Sequence, residues 1–364
     1  MAHLPATNLI TPNHRFLMED DAEAKRFQRQ CIEHLDNVLE RIRSFGESVY
    51  ILNDEHLAAL NVRKAEPLDI EEQSVDFGRR FFYPRFTLEE ARKKTTDFIS
   101  ENGQDVGHYG DWPKRCRRGS YVGFESTPGP YDPEERHPLC DPMTHADIRL
   151  RWFLTVMGVD FLPWIDTRNF GVWEGSEWCY VSERDLFPNR MGNLPIHYSH
   201  GPRVGNPPHQ YAFYASAAFV IPHPSADLPH VGGTVVDSTE PCEGEVLRSE
   251  VAAAVGLLKH QFRRGDFRRH HTLPAIVFSF HHDRFGRVTQ FHFDGRSLVL
   301  RQSRLLDFRS DEPTADAYHM IRWMANRPMG ETRFLRTAAE EAEGSESQDM
   351  DKNSTQLPID IRGA

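Results

Sequence analysis

The chain has no pair of cysteines at CxxC spacing. Its five cysteines, Cys31, Cys116, Cys140, Cys179 and Cys242, are odd in number and widely scattered. A disulfide framework and a structural zinc site are therefore set aside as organising devices. No apolar run approaches the roughly 18 residues of a membrane span. The first fifteen residues lack the basic start and apolar core of a secretory signal. The expectation is a cytoplasmic or nuclear protein, not secreted and with no membrane partner. HExxH, a nucleophile elbow and a Gly-rich phosphate loop are all missing. The one glycine pair that stands out, Gly232-Gly233, precedes a strand rather than the helix a phosphate site needs.

What is present is a polar, acidic, globular composition. The 364 residues carry a formal charge of -11, with 39% hydrophobic and 27% charged residues. Broad attraction to nucleic acid is not expected of such a molecule. Part of the acidity is concentrated between Glu340 and Asp351, in a stretch of Glu, Asp, Ser and Gly. The length suits one large or two ordinary domains, and no Pro/Ser-rich linker divides the middle. The reading is a flexible lead at 1–15, a single α+β domain at 16–335 with its sheet core at about 210–330, and a disordered tail at 336–364.

The strongest pattern lies between Cys242 and Ser303. Leu247, Val251, Ala254, Val255, Leu258 and Phe262 recur at three- and four-residue spacing, forming one apolar helical stripe. Glu243, Glu245 and Glu250 crowd its start, Lys259, Arg263 and Arg264 its end, and Gly265 follows, the order a helix dipole favours. Three strands are expected next, over Pro274–His282, Arg287–Asp294 and Ser297–Ser303. A turn on Gly295-Arg296 sets Phe293 against Leu298 and Phe291 against Leu300. A four-residue loop at Asp283–Gly286 would set Ile276 against Phe293 and Phe278 against Phe291. Both registers gather Ile276, Phe278, Phe280, Phe291, Phe293, Leu298 and Leu300 on one side, for the helix to cover. The other side would then carry a mixed row of Ser279, Gln290 and Arg301, beside a second row of Val277, His292 and Val299.

Further helices are expected at Ala22–Phe45, with Phe27, Cys31, Leu35, Val38, Ile42 and Phe45 as its seam; from the capping box Thr87-Leu88-Glu89-Glu90 to Ser100; at Thr144–Gly158; and at Thr314–Asn326. The stretch 103–142 reads as irregular, and 161–208 as short strands and loops. Strands at Gln210–Ile221 and Gly233–Ser238 would extend the meander to five or more strands. The fold class is thus α+β, an antiparallel sheet packed against helices.

Histidine is abundant, with 19 copies. His197 and His200 stand at HxxH spacing, but Pro195, Gly201 and Pro202 place them in a loop. His292 and Asp294 share a strand face at i, i+2, the pairing used by iron(II) oxygenases, with His319 as a candidate third ligand and Arg322 nearby. They are the candidate catalytic or metal-binding residues; the pattern defines no cofactor. His281, His282 and Asp283 read as a polar hairpin end. The order helix, three strands, helix is shared with restriction-endonuclease-like nucleases. Here, however, the third strand offers Val299-Leu300-Arg301 where an acid-x-lysine would carry metal chemistry.

Several segments resemble uncharacterised proteins of filamentous fungi. They include Ser249-Glu250-Val251, Arg268-Arg269-His270-His271, Pro274–Phe280, Gly286-Arg287-Val288, Phe293-Asp294-Gly295 and Arg304–Phe308. The likeness covers about 212–330 and brings no established activity; it implies an association with secondary-metabolite genes. Three functional expectations follow. The first is an accessory or binding protein that takes a small molecule or protein partner on the face of Gln290, His292, Arg301 and Ser279. The second is a metal-dependent enzyme using His292 and Asp294. The third is a degenerate nuclease-like protein that binds nucleic acid.

Overall fold

The computed structural model describes residues 21–46, 48–72, 80–106, 142–158, 178–181, 213–221, 227–282, 285–310 and 312–334. The expected lead, the HxxH loop, Asp283, the tail and most of 107–212 lie outside these residues. Helix α1 spans Asp21–Ser44, strand β1 Ile51–Leu52, α2 Asp54–Ala59, β2 Val62–Lys64, β3 Phe82–Pro84, α3 Leu88–Val106 and α4 Pro142–Val156. Strands β4 (Cys179–Val181), β5 (Phe213–Val220), β6 (Val231–Asp237) and β7 (Val246–Leu247) follow. Helix α5 covers Arg248–Arg264. The chain continues through β8 (Pro274–His281), β9 (Phe285–Phe293), β10 (Leu298–Gln302) and β11 (Leu306–Asp307) to α6 (Ala315–Met324) and β12 (Asn326–Pro328).

The class is α+β. Among the described residues the main sheet has eight strands, in the order β2-β10-β9-β8-β6-β5-β4 with β11 beside β9. The meander β8-β9-β10 is antiparallel, as are β4-β5-β6. Two pairs are parallel, β6 with β8 and β2 with β10, so the sheet as a whole is mixed. The β6–β8 pair is joined through α5, the crossover that parallel neighbours require. Helix α5 lies close to β6: a Cβ on Gly233 would stand 3.0 Å from Leu257 and 3.1 Å from the Ala217 carbonyl, so glycine permits the approach.

The Gly295-Arg296 hairpin has the expected register, Leu298 opposite Phe293 and Leu300 opposite Phe291. The first hairpin corrects the expectation. Strand β8 runs to His281 and β9 begins at Phe285, so the connection is three residues rather than four, with His282 at φ 47°. Ile276 therefore opposes Gln290 instead of Phe293, a shift of three residues. An odd shift turns one strand over. Ile276, Phe278 and Phe280 join Val288 and Leu306 in one core, under α4 and α6. Phe291, Phe293, Leu298 and Leu300 join Ala275 and Val277 in a second core, under α5 and α1. The sheet is thus apolar on both faces. Each buried Val, Leu or Phe contributes about 1.5–3 kcal/mol before entropy is subtracted.

The same shift divides the expected mixed face. Gln290, His292 and Arg301 lie on the α6 side, and Ser279 lies opposite Arg287 on the α5 side. The α6 side is not solvated there, because a strap at 65–72 and the start of β3 cross it. The Phe81 amide donates to Gln290 Oε1 at 3.0 Å. Arg301 donates to the carbonyls of Glu66 and Pro67 at 2.8 and 2.9 Å. His292 packs on the Phe81 ring. These three side chains are buried, and they anchor the strap.

Candidate functional site

A second polar group, buried on the α5 side, is built around Glu250. Helix α5 places Glu250 in its first turn, where the dipole favours a carboxylate. Glu250 Oε1 accepts from Ser279 Oγ at 2.8 Å and from Arg287 Nε at 3.0 Å. Its Oε2 accepts from the Leu247 amide at 3.2 Å and from Gln302 Nε2 at 3.1 Å. Helix α5 and strands β8, β9 and β10 thus each contribute one side chain to a single point. Glu250, Ser279 and Arg287 are fully excluded from solvent.

A carboxylate offers about four lone-pair sites, and all four of Glu250 are taken. Its charge is met by Arg287 at hydrogen-bond distance. The group is therefore fixed as an acceptor, with no lone pair left for a metal or a substrate proton. His281, at the end of β8, stands 3.7 Å from Glu250 Oε1 and is also fully buried. Desolvation, reinforced by the Arg287 charge, holds its pKa well below the usual imidazole range, so it is neutral. Neither His281 ring nitrogen has a hydrogen-bond partner among the described residues, and neither does Arg287 Nη2 or Thr289 Oγ1. Thr289 lies two residues from Arg287 on the same face and opposite Gln302.

An open cleft of about 650 Å³ adjoins this cluster. It lies between the strap at 64–71, the turn at 243–244 and the end of β10 at 300–304. Gln302 belongs to both the cleft wall and the Glu250 cluster. Four carboxylates, Glu66, Asp69, Glu71 and Glu243, line the cleft against two cations, Lys64 and Arg304. Both cations are engaged. Lys64 Nζ donates to the Gly244 carbonyl at 2.9 Å, and Arg304 is paired with Glu71 and Asp316. Among the carboxylates, Asp69 accepts from the amides of Glu71 and Glu72, and Glu243 from the Leu305 amide. Glu66 is exposed.

The expected metal set does not assemble. Asp294 serves its own turn, accepting from the amides of Arg296 and Ser297 at 3.0 and 2.8 Å. Partial burial raises its pKa, but these hydrogen bonds, with the charges of His292 and Arg63, outweigh burial and hold it below the usual carboxylate range. His319 lies on α6 among Glu71, Arg322, Arg304 and Asp316, and burial lowers its pKa. Among the described residues no three His, Cys, Asp or Glu side chains are grouped to hold a metal ion. Of the expected ligand-binding residues, Gln290, His292 and Arg301 share one buried face of the sheet, while Ser279 belongs to the Glu250 cluster.

Glu250, His281, Arg287 and Gln302 were not singled out by the sequence as one site. The signal that could have found them is the pairing of Ser279 with Arg287, which the four-residue loop concealed. No helix of the described residues is long and apolar enough to cross a membrane. Comparison with known proteins finds no match, neither among family models nor among curated proteins or solved structures.

Proposed function

We propose that this is a binding protein, cytoplasmic or nuclear, that takes a ligand bearing a positively charged amine in the cleft beside the Glu250 cluster. The carrying observation is the cleft's charge: with Glu71 paired to Arg304, three carboxylates, Glu66, Asp69 and Glu243, stand against one cation, Lys64, which is hydrogen-bonded to the Gly244 carbonyl. Its volume falls within the range of small-molecule sites, about 300–1,000 Å³. The saturation of Glu250 supports binding over acid–base or metal chemistry. It also weighs against the nuclease-like alternative, because Arg287 stands beside Glu250 where a second carboxylate would be needed to share a metal. An acidic cleft in a chain of charge -11 is poorly suited to phosphate backbones. Service in a secondary-metabolite pathway is carried by the fungal resemblance alone.

Calorimetry with spermidine as the probe tests this reading. Binding is expected to weaken as salt rises, and to fall about fivefold when Glu66→Gln and Asp69→Asn are combined, since each exposed pair contributes up to about 1 kcal/mol. Absence of binding, or equal affinity in the double variant, would contradict it.

A further inference from the structure

The wall between the cleft and the Glu250 cluster is one turn. Residues 242–245 form it, with the Glu245 amide donating to the Cys242 carbonyl and Gly244 at φ 76°. Cys242, Glu243 and Gly244 are exposed, and nothing lies within 4 Å of the Cβ position of Gly244. Lys64 Nζ holds the turn at the Gly244 carbonyl and the Leu305 amide holds it at the Glu243 carboxylate, while the Glu245 carbonyl makes the inner contact. The Glu245 carbonyl oxygen accepts from Arg287 Nη1 at 2.6 Å and from Gln302 Nε2 at 3.1 Å.

Arg287 is thereby left half used. A guanidinium binds carboxylate or phosphate through two parallel N–H groups, and such a pair is stronger than one bond to a neutral carbonyl. Here Nε is on Glu250 and Nη1 on the Glu245 carbonyl, while Nη2 is buried without a partner. His281 and the Thr289 hydroxyl add further unpartnered polar atoms in the same interior, beside a Glu250 that can accept no more. The interior holds more donors than acceptors, and the acceptor that Arg287 Nη1 and Gln302 share is a backbone carbonyl of an exposed turn.

We infer that the Glu245 carbonyl is a placeholder, and that the ligand's second functional group is an oxyanion, a carboxylate or a phosphate, which displaces it from Arg287 and Gln302. This deepens the proposed function and rests on the cleft as the binding site. The ligand then carries an amine, met by Glu66 and Asp69, and an oxyanion, met behind the turn. The turn swings outward as the oxyanion enters, and Cys242 moves with it.

The full chain is titrated separately with inorganic phosphate, with acetate and with spermidine. Heat of binding and the rate of Cys242 alkylation, read on its own peptide, are followed together. Phosphate or acetate is expected to bind and to accelerate alkylation; whichever binds tighter identifies the oxyanion. Arg287→Lys keeps a charge beside Glu250 but loses the fork, so oxyanion binding weakens about tenfold while spermidine binding is unchanged. Should that variant fold poorly, Gly244→Ala decides. It strains the closed turn at positive φ, so oxyanion binding should tighten several-fold in a protein with an intact core. If neither oxyanion binds the wild type or Gly244→Ala while spermidine does, the inference fails and the cleft reading stands. If spermidine also fails, both fall. Equal phosphate affinity in a folded Arg287→Lys protein overturns the inference as well.

Discussion

At the scale of single residues, one ion pair among the described residues is closed off from solvent on both sides. Glu250 and Arg287 are both fully buried. Breaking such a pair leaves a charge in a low dielectric and costs about 3–5 kcal/mol, whereas replacing both partners by apolar side chains is often neutral. Glu250→Gln is therefore expected to lose about 3 kcal/mol in urea unfolding, and Glu250→Gln combined with Arg287→Met to recover most of it. Equal losses in the single and double variants would show that the two side chains do not act as a pair. Buried histidines make a separate prediction. Desolvation lowers His230 to about 4, although its bond to the Met329 carbonyl opposes the shift, and His281 is lowered in the same direction. Both are neutral in the folded chain. As pH falls below 6.5 the unfolded chain takes up protons that the folded chain refuses, so stability is present above 6.5 and is lost on the way down to 4. His230 alone contributes about 3 kcal/mol to that loss. His230→Gln is expected to flatten the dependence of the urea midpoint on pH between 6.5 and 4.

At the scale of elements, the β8–β9 connection decides which side chains meet. His282 at φ 47° closes a three-residue loop. A β-branched residue is poorly tolerated there, so His282→Val should lower stability by about 1–2 kcal/mol, while His282→Gly should be close to neutral. Melting temperatures of the two variants check this, and equal melting temperatures would argue against the loop. The same loop explains what could be read in advance. Helices α1, α3, α4, α5 and α6 follow from apolar spacing and caps, because helical periodicity is local. The Gly295 hairpin also follows, because a Gly-X turn admits few geometries. The β8–β9 register does not follow. Alternation marks two apolar faces equally well when helices cover both, and the loop residues favour neither length. That one ambiguity hid the pairing of Ser279 with Arg287, and with it the Glu250 cluster. It also made Gln290, His292 and Arg301 look like an open face, when their partner is a strap more than two hundred residues earlier in the chain. No local pattern announces such a contact. Arg301→Met should free the strap, so protease cleavage within 65–80 should appear before the sheet unfolds.

At the scale of the whole molecule, a sheet covered on both faces leaves its edges and strand ends for contact with ligands. The cleft lies at the end of β10, where β2, the strap and the turn before β7 come together. Its acidity, and the saturated cluster behind it, are the observations on which the proposed amine binding rests. The most direct measurement is an amide NMR titration of the full chain with spermidine. The account predicts shifts confined to residues 64–71, 243–245 and 300–304, reduced in the Glu66→Gln, Asp69→Asn double variant. Shifts centred on Gln290 and His292, or no localised shifts at all, would contradict it.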